Sequence, residues 1–350
     1  MTKINQPEPR LLTAKLDPKT FGHWAYLAIE KHFQKTLKHE TEVLTDKDPE
    51  ELHQMRVGMR RLRTAVTGFA PALSLPNAAQ EKNIGKVARI LGELRDIDVL
   101  KDTFETQYLP TLPSQEQDTL KKVLATLKKQ RQKSLEQVQT TLNQQRYQEL
   151  KQALQDWLNR PSYGEFAEFP IAEILPDLLL PPVSQLFLHT AWLTGVKLDA
   201  GEIGVPSDLN KEIVEQLLNV HGDTLHSLRK QAKRVRYQME LFTDFYGSTY
   251  KGYLKDIKEI QRVLGEIQDS VVLAAFLSDT LGSGSAEQMP MLSAQLTQAR
   301  YQAWQEWRTL QQRYLNATAR KDFHQSLLEP ALEPINQQTN GSFLTAQRIV

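Results

Sequence analysis

A basic segment that occurs twice constrains this chain more than any other feature of its sequence. Residues 52–63 recur as residues 225–236, and residues 91–96 recur as residues 264–269. The spacing is the same for both pairs, because 225 − 52 and 264 − 91 both equal 173. Two separate segments that repeat in one ungapped register indicate an internal duplication. The sequence therefore predicts two similar halves.

Each copy of the basic segment has the pattern of an amphipathic helix. At roughly 100° per residue, its apolar side chains fall on one face, and a row of cationic residues, here called the cationic stripe, borders that face. The members of the stripe are His53, Arg56, Arg60 and Arg63 in the first half and His226, Arg229, Lys233 and Arg236 in the second. Arg61 and Arg234 project from another side of the helix, and Lys230 adds a further cation to the second copy. These three residues are also predicted to contact the partner of the stripes.

No acidic residue lies among the cations of either stripe in the sequence. No acidic residue lies between Glu51 and Glu81, and none lies within residues 229–236. Like charges three or four residues apart destabilise a helix by a few tenths of a kcal/mol per pair. A solvated face is the common explanation of such a charge run. The same geometry in both copies instead favours a bound anion as the missing partner.

The helix that follows each basic segment carries further candidate cations on one face. They are Lys82 and Arg89 in the first half and Lys255 and Arg262 in the second. We expect these residues to reach the same anion as the stripes. Gly92 and Gly265 are expected to allow a neighbouring helix to approach closely. Asp96 and Asp269 are expected to pair with an arginine of a neighbouring helix.

Helical periodicity runs along most of the chain, and no convincing β-alternation appears. Asp48 is predicted to cap a helix that begins with Pro49, and this basic helix is expected to stop near Pro71. Prolines and glycines interrupt residues 160–210, where we expect only short helices such as residues 183–193. Further helices are predicted at residues 17–37, 78–108, 114–144, 147–158, 223–246, 249–281 and 291–319. One more helix is predicted to begin at about residue 208. The chain is therefore predicted to be all-α, in two similar bundles.

The composition and motifs exclude several kinds of chemistry. The chain has no cysteine, which excludes disulfides and thiolate catalysis. It contains no glycine-rich phosphate-binding loop, no HExxH motif and no other zinc-ligand spacing. No nucleophile–base pair is supported by its spacing, and His32 and His39, on a mostly polar helix, are predicted to be surface residues. We therefore predict no catalytic residue, no bound metal and no cofactor.

The overall charge does not identify a partner. The net charge is only +1, so the stripes stand out against an otherwise balanced chain. Aromatic residues fall at helical core spacing rather than on a base-stacking platform, which argues against nucleic acid. The most apolar region, residues 171–193, is interrupted by acidic residues and prolines, so we predict no membrane-spanning helix. The first ten residues lack an apolar run of the signal-peptide type, and we predict a cytoplasmic protein.

The paired motifs resemble those of the CHAD family, the histidine-bearing α-helical domains. The resemblance rests on HxxRxxxRRxR at residues 53–63, HxxRxxxKRxRY at residues 226–237 and LGELRD at residues 91–96. It covers about residues 20–335. It implies two four-helix-bundle halves related by a pseudo-two-fold axis, with the basic helices lining a central groove or pore. It also implies binding of inorganic polyphosphate without known catalysis by the domain itself.

The resemblance also suggests boundaries for the parts of the chain. A flexible tail is expected at residues 1–18, a helical domain at residues 19–335 and a C-terminal tail at residues 336–350. Within the helical domain, the two halves span residues 19–160 and 208–335, and an irregular helical connector spans residues 161–207. The chain departs from the family pattern in the length of this connector. It also departs at Gln268, which stands where the first copy has Arg95. Association with polyphosphate granules in the cytoplasm is left open.

Three functions are compatible with the sequence. The first is non-catalytic binding of inorganic polyphosphate, or a similar polyanion, through the two stripes. The second is cleavage of phosphoanhydrides, which needs a metal-binding carboxylate cluster, and Asp96, Asp98 and Asp269 are the only candidates for it. The third is a nucleic-acid-binding or scaffold protein at polyanion-rich bodies. The duplicated stripe favours the first.

Overall fold

The computed structural model describes residues 16–199, 202–206, 209–282, 284–332 and 334. These residues form eleven α-helices and one two-stranded antiparallel hairpin, which confirms the all-α class. The helices are α1 (Phe21–Thr45), α2 (Pro49–Gly68), α3 (Glu81–Thr103), α4 (Ser114–Asn143), α5 (Gln145–Asn159), α6 (Ile171–Phe187), α7 (Lys211–Leu241), α8 (Ser248–Leu281), α9 (Ser285–Gln288), α10 (Pro290–Leu315) and α11 (Ala317–Gln325). The strands are β1 (Lys197–Asp199) and β2 (Glu202–Gly204). The predicted C-terminal tail and residues 1–15 of the predicted N-terminal tail lie outside the described residues.

The contacts within the chain define two compact units. Unit 1 contains the described residues up to Lys101 together with residues 127–174, and unit 2 contains residues 102–126 and the described residues from Leu175 onward. The first part of α4 therefore belongs to unit 2, although α4 lies in the first half of the sequence. Each unit contains one copy of the basic segment, on α2 in unit 1 and on α7 in unit 2.

Residues 102–126 are held within unit 2 by specific contacts. The carboxylate of Glu116, only 4% exposed, accepts hydrogen bonds from the backbone N–H groups of Met291 and Leu292 at 2.9 and 3.0 Å. It thereby satisfies two of the N–H groups that the first turn of α10 leaves without a helical partner. The ring of Phe104 lies 6.4 Å from that of Phe276. The start of α4 is thus a structural part of unit 2.

The duplication is visible in the local structure of both units. Helices α2 and α7 end at equivalent residues, Gly68 and Leu241. Each is followed by a short 3-10 turn, at Ala70–Ala72 and at Thr243–Phe245, before the next long helix begins. The repeated sequence therefore produces a repeated helix–turn–helix arrangement.

Burial of one apolar face fixes the rotation of α2 and α7 about their axes. The buried residues at equivalent positions are Leu52, Met55, Met59, Leu62 and Val66 on α2 and Leu225, Leu228, Ala232, Val235 and Met239 on α7. Each large side chain contributes roughly 1.5–3 kcal/mol by leaving water. The predicted start of α2 is confirmed, because the Asp48 side chain accepts from the Glu50 N–H at 2.8 Å and Pro49 opens the helix. The position of each cationic stripe beside the core follows from this packing.

The region between the halves is more regular than predicted. Helix α6 runs without a break through Pro176, Pro181 and Pro182, so the predicted short helix at residues 183–193 is wrong. Its apolar side chains at intervals of three or four residues are buried, and their packing outweighs the several kcal/mol that interior prolines cost. These buried residues are Leu175, Leu179, Val183 and Leu186. The hairpin of β1 and β2 was also not predicted.

Residues 171–193 are long and apolar enough to cross a membrane by length and composition alone, with a mean hydropathy of 1.4. This test is weak, because a core helix of a soluble protein passes it too. Within the structure, 39% of the most apolar window of this stretch is buried. The expectation that no helix spans a membrane stays a prediction.

Two further predictions fail in α7 and α1. Helix α7 begins at Lys211 and is continuous, whereas the sequence suggested two helices meeting near residue 223. Gly222 lies inside it and costs only about 1 kcal/mol relative to alanine, which is too little to break a packed helix. His32 is buried rather than exposed, while His39 is half-buried and lies 2.6 Å from the Glu51 carboxylate. Burial, with help from nearby cations, lowers the pKa of His32 to about 4.

Candidate functional site

The cationic stripe of unit 1 borders the buried face of α2. His53, Arg56 and Arg60 are half-buried, and the side chain of Arg63 is about half exposed. Arg61 is exposed, in agreement with its predicted position on another side of the helix. The half-buried side chains lie where a bound anion would be partly shielded from water, which strengthens its attraction to them.

The stripe of unit 2 has the same arrangement on α7. All four of its members are half-buried, whereas the neighbouring cations Lys230 and Arg234 are exposed. The members are His226, Arg229, Lys233 and Arg236. The predicted geometry of a cationic row beside an apolar face is thus present in each unit.

The second cation of each stripe makes the same contact with the following helix. The guanidinium of Arg56 lies 3.7 Å from the carboxylate of Asp96, and that of Arg229 lies 3.8 Å from that of Asp269. The predicted pairing of these aspartates with an arginine is therefore confirmed. Both aspartates are largely exposed, and such long, solvated ion pairs contribute little to stability. The arginines thus retain donors that an anion can use.

Glycines in the LGE segments make room for these two arginines. A Cβ atom at Gly92 would lie 3.6 Å from Nε of Arg56, and one at Gly265 would lie 3.3 Å from Nε of Arg229. The second distance is tighter than ordinary van der Waals contact, so a larger residue would push the guanidinium away. The glycines therefore admit the arginine side chains against the next helix and set where the guanidinium groups lie.

The histidines at the start of the two stripes share an unusual environment. The Nδ1 atoms of His53 and His226 are buried, and neither has a hydrogen-bond partner among the residues that the structure describes. Burial lowers the pKa of both rings, and nearby cations add to this effect, chiefly Arg95 for His53 and Lys230 for His226. Both rings are therefore neutral near pH 7 and lie among positive charges.

The last cation of each stripe is bonded to neighbouring polar groups. Arg63 donates from Nε to the carboxylate of Glu81. Arg236 donates from Nε to Glu240 at 2.9 Å and from Nη1 to the side-chain oxygen of Gln261 at 3.1 Å. These contacts differ between the copies, unlike those of the second arginine.

The additional candidate cations on α3 and α8 differ between the two halves more strongly than the cations of the stripes do. Lys82, Arg89 and Lys255 are exposed, and Arg89 lies 3.8 Å from Glu93. Arg262 instead pairs with three carboxylates, those of Glu259, Glu266 and Glu306. The first two carboxylates are close to Arg262 in sequence, so helical spacing could have indicated them, but Glu306 comes from α10 and gave no local signal.

The three carboxylates considered for metal binding all lie beside arginines. Asp96 and Asp269 contact Arg56 and Arg229, as described above. Asp98 is buried and accepts from Nε of Arg131 at 2.6 Å, and Arg131 also binds Asp46 through two hydrogen bonds of 2.7 and 2.8 Å. Among the described residues, no three potential ligands gather into a metal site. The buried network around Arg131 was not predicted, because its members are far apart in sequence.

Comparisons with known proteins agree with this architecture. The family profile of the CHAD domain matches residues 27–278. The crystal structure of the CHAD domain from the plant Ricinus communis is similar with a TM-score of 0.56 and 24% identity, covering 94% of this chain and 100% of that chain. The structure of PptA from Streptomyces chartreusis is similar with a TM-score of 0.59 and 13% identity, covering 83% of this chain and 99% of that chain. A search of curated proteins found no match. At these identities, the two structures support the fold alone.

Proposed function

The chain belongs to the CHAD family, and from that premise we propose that it binds inorganic polyphosphate, or a similar linear polyanion, without catalysis. Each unit carries one proposed binding surface, the cationic stripe on α2 in unit 1 and the cationic stripe on α7 in unit 2. The resemblance also predicts a central groove lined by the basic helices. Such a groove depends on how the two units are placed relative to each other, and it stays a prediction.

One observation carries the proposal, namely the repeated placement of the second arginine. Arg56 and Arg229 each lie over a glycine and near an exposed aspartate, in contacts too long and too solvated to stabilise the fold strongly. A repeated arrangement with little structural benefit, beside a histidine with a buried nitrogen that lacks a described partner, supports a role in binding.

The chemistry of the stripe suits a chain of phosphates. Members three or four residues apart lie about 4.5–6 Å apart along the helix axis, so they present charge at regular intervals. Arginine offers forked donors to phosphate oxygens, and lysine adds a compact charge. A neutral histidine donates one hydrogen bond, or gains a proton when a nearby phosphate raises its pKa.

The proposal is non-catalytic because the candidate carboxylates do not gather into a group of three potential metal ligands among the described residues. Asp98 is buried against Arg131, and Asp96 and Asp269 lie beside the arginines of the stripes. A phosphoanhydride-cleaving enzyme would need such carboxylates to hold a metal ion. Release of orthophosphate from polyphosphate during a long incubation with Mg²⁺ would overturn this part of the proposal.

A titration with long-chain polyphosphate at two salt concentrations tests the proposal. Binding at low salt should weaken about tenfold or more between roughly 50 and 200 mM salt, because cations on the protein replace counterions of the polyanion. Duplex DNA should displace polyphosphate poorly, since its phosphates are fixed on a wide, rigid double helix and cannot follow a single row of cations. Absence of binding at low salt would refute the proposed function, and equal displacement by DNA would favour a nucleic-acid binder.

A further inference from the structure

Helix α3 carries a row of exposed cations that is longer than the sequence analysis recognised. We call Lys82, Lys86 and Arg89 the α3 row. They lie at positions i, i+4 and i+7, which places them on one face of the helix. Neither Lys82 nor Lys86 forms an ion pair with any described residue, and Arg89 is 3.8 Å from Glu93. The positive charge of this face is therefore largely uncompensated.

The equivalent face of α8 carries less positive charge than the α3 row. The residues equivalent to the α3 row are Lys255, Glu259 and Arg262, so a glutamate stands where unit 1 has Lys86. Arg262 donates to this Glu259 at 2.5 Å and also pairs with Glu266 and Glu306. An anion that approached Arg262 would have to compete with three carboxylates.

Within unit 1, helix α3 lies beside the cationic stripe. Arg63 of the stripe is close to Gly85, and Arg56 is close to Gly92, so one side of α3 faces the stripe. The α3 row lies roughly 40–120° around the helix from that side. Cations of α2 and of α3 therefore lie on neighbouring helix faces in unit 1, with the carboxylates of Glu81, Glu93 and Asp96 among them.

We propose that the α3 row is a second polyphosphate-contacting surface, with Lys86 as its central residue, and that Arg262 is a structural ion-pair residue in unit 2. This inference rests on the proposed function and extends it. A polyphosphate chain bound along the stripe of unit 1 continues onto α3, whereas the equivalent path on α8 is closed by carboxylates. The two halves of the duplicated chain therefore bind the anion unequally.

Exchanging the residues at the two equivalent positions tests this inference directly. Lys86→Glu gives α3 the residue of α8, and Glu259→Lys gives α8 the residue of α3. Lys86→Glu should reduce the affinity for long-chain polyphosphate about five- to tenfold and lower the salt dependence by about one to two charges. Glu259→Lys should increase the affinity about twofold or more, because it adds a cation and removes one carboxylate from Arg262.

Lys321→Glu is the matched control, because Lys321 is an exposed lysine on α11 that undergoes the same charge change. It should reduce affinity by less than about twofold. All three residues are exposed or half-buried on helix surfaces, so circular dichroism and thermal melting should show folded proteins. The affinity for tripolyphosphate should fall less in Lys86→Glu than the affinity for the long chain, because tripolyphosphate is too short to reach both the cationic stripe and the α3 row.

The outcomes separate this inference from the function on which it rests. If the unmodified protein fails to bind polyphosphate at low salt, the proposed function is refuted. If it binds, and Lys86→Glu is indistinguishable from Lys321→Glu, the α3 row is not a contact surface. A loss of affinity in Glu259→Lys equal to that in Lys86→Glu would also overturn the proposed asymmetry.

Discussion

The two copies of the basic helix are alike at their start and differ towards their end. At the start, both copies bury a histidine Nδ1 atom, and both place an arginine over a glycine and beside an exposed aspartate. Towards the end, Arg63 meets one glutamate, whereas Arg236 is bonded to Glu240 and Gln261. The following helices diverge further, because α8 has carboxylates around Arg262. We call the histidine and the arginine with its glycine and aspartate, which both copies have in the same arrangement, the shared element. The charges that flank the shared element differ between the two halves.

The largest expected effect concerns the shared element. Arg56→Glu and Arg229→Glu should each reduce polyphosphate affinity about tenfold or more, and the double variant about a hundredfold or more, because each removes a forked phosphate donor and adds a repelling charge. Isothermal titration calorimetry at low salt measures the affinities. Similar losses from the two single variants would establish that the copies are equivalent at this position.

Variants on another side of the same helices set the scale for a general charge effect. Arg61→Glu and Arg234→Glu change the charge equally, but their side chains are exposed and project away from the half-buried stripe. Their losses should be smaller than those of Arg56→Glu and Arg229→Glu. Equal losses would show that the stripe geometry does not determine binding.

The glycines provide a second test of the shared element. Gly265→Ala should weaken polyphosphate binding about fivefold, because the added Cβ would lie 3.3 Å from Arg229 Nε and displace the guanidinium. Gly92→Ala should have a smaller effect, since its Cβ would lie 3.6 Å from Arg56 Nε. Binding is measured as before, together with the melting temperature of each variant.

Gly252, another glycine of α8, is a control for helix propensity. A Cβ at Gly252 would meet nothing within 4 Å, so Gly252→Ala should stabilise the helix by about 0.5–1 kcal/mol and leave binding unchanged. If Gly265→Ala behaved like Gly252→Ala in both measurements, the proposed role of the glycine in placing Arg229 would be wrong.

The flanking arginines should separate binding from stability. Arg89→Gln should reduce polyphosphate affinity about threefold with little change in melting temperature, because Arg89 is exposed and only loosely paired. Arg262→Gln should lower the melting temperature by a few degrees and leave affinity unchanged, since it leaves three carboxylates without their shared partner. The reverse pattern in calorimetry and thermal melting would contradict the assigned roles.

The smallest expected effect is the pH dependence of the shared histidines. Burial lowers the pKa of His53 and His226, so each neutral ring contributes stability that is complete above about pH 6.5 and is lost as the pH falls. A bound polyanion favours the protonated ring instead, so binding takes up protons. Between pH 7.5 and 5.5, we expect polyphosphate affinity to rise about two- to threefold while the melting temperature of the free protein falls.

Substitution of both histidines by glutamine should remove most of this pH dependence. Titration of the terminal phosphates is the same for every variant, so the difference between variants isolates the histidines. Calorimetry in two buffers of different ionisation enthalpy measures the proton uptake directly. No difference in uptake between the double variant and the unmodified protein would show that the rings do not approach the anion.

The sequence predicted those features that depend on local spacing. The apolar period of α2 and α7 gave the buried face and hence the position of the stripes. The Asp48 cap was likewise a local signal. The aspartate–arginine pairs followed from the equivalent positions of two neighbouring helices.

Features that depend on packing between distant segments were missed. The prolines of α6 suggested breaks, but the burial of its apolar side keeps the helix continuous. His32 looked like a surface residue, although it continues the spacing of Ala25 and Ile29 on the buried side of α1. The carboxylate of Glu306 near Arg262 lies on another helix, so no local pattern could reveal that this candidate cation is engaged.

The path of α4 limits how the protein can be dissected. A cut in the loop after α5 would leave residues 102–126 on the N-terminal fragment, although they pack within unit 2. A recombinant C-terminal fragment would then lack the carboxylate of Glu116 that caps α10 and the ring of Phe104 beside Phe276. Its α10 would begin with bare N–H groups, and apolar surface would be open to solvent and to aggregation. Measurements on a single half therefore need an uncut chain in which only the other stripe has been inactivated.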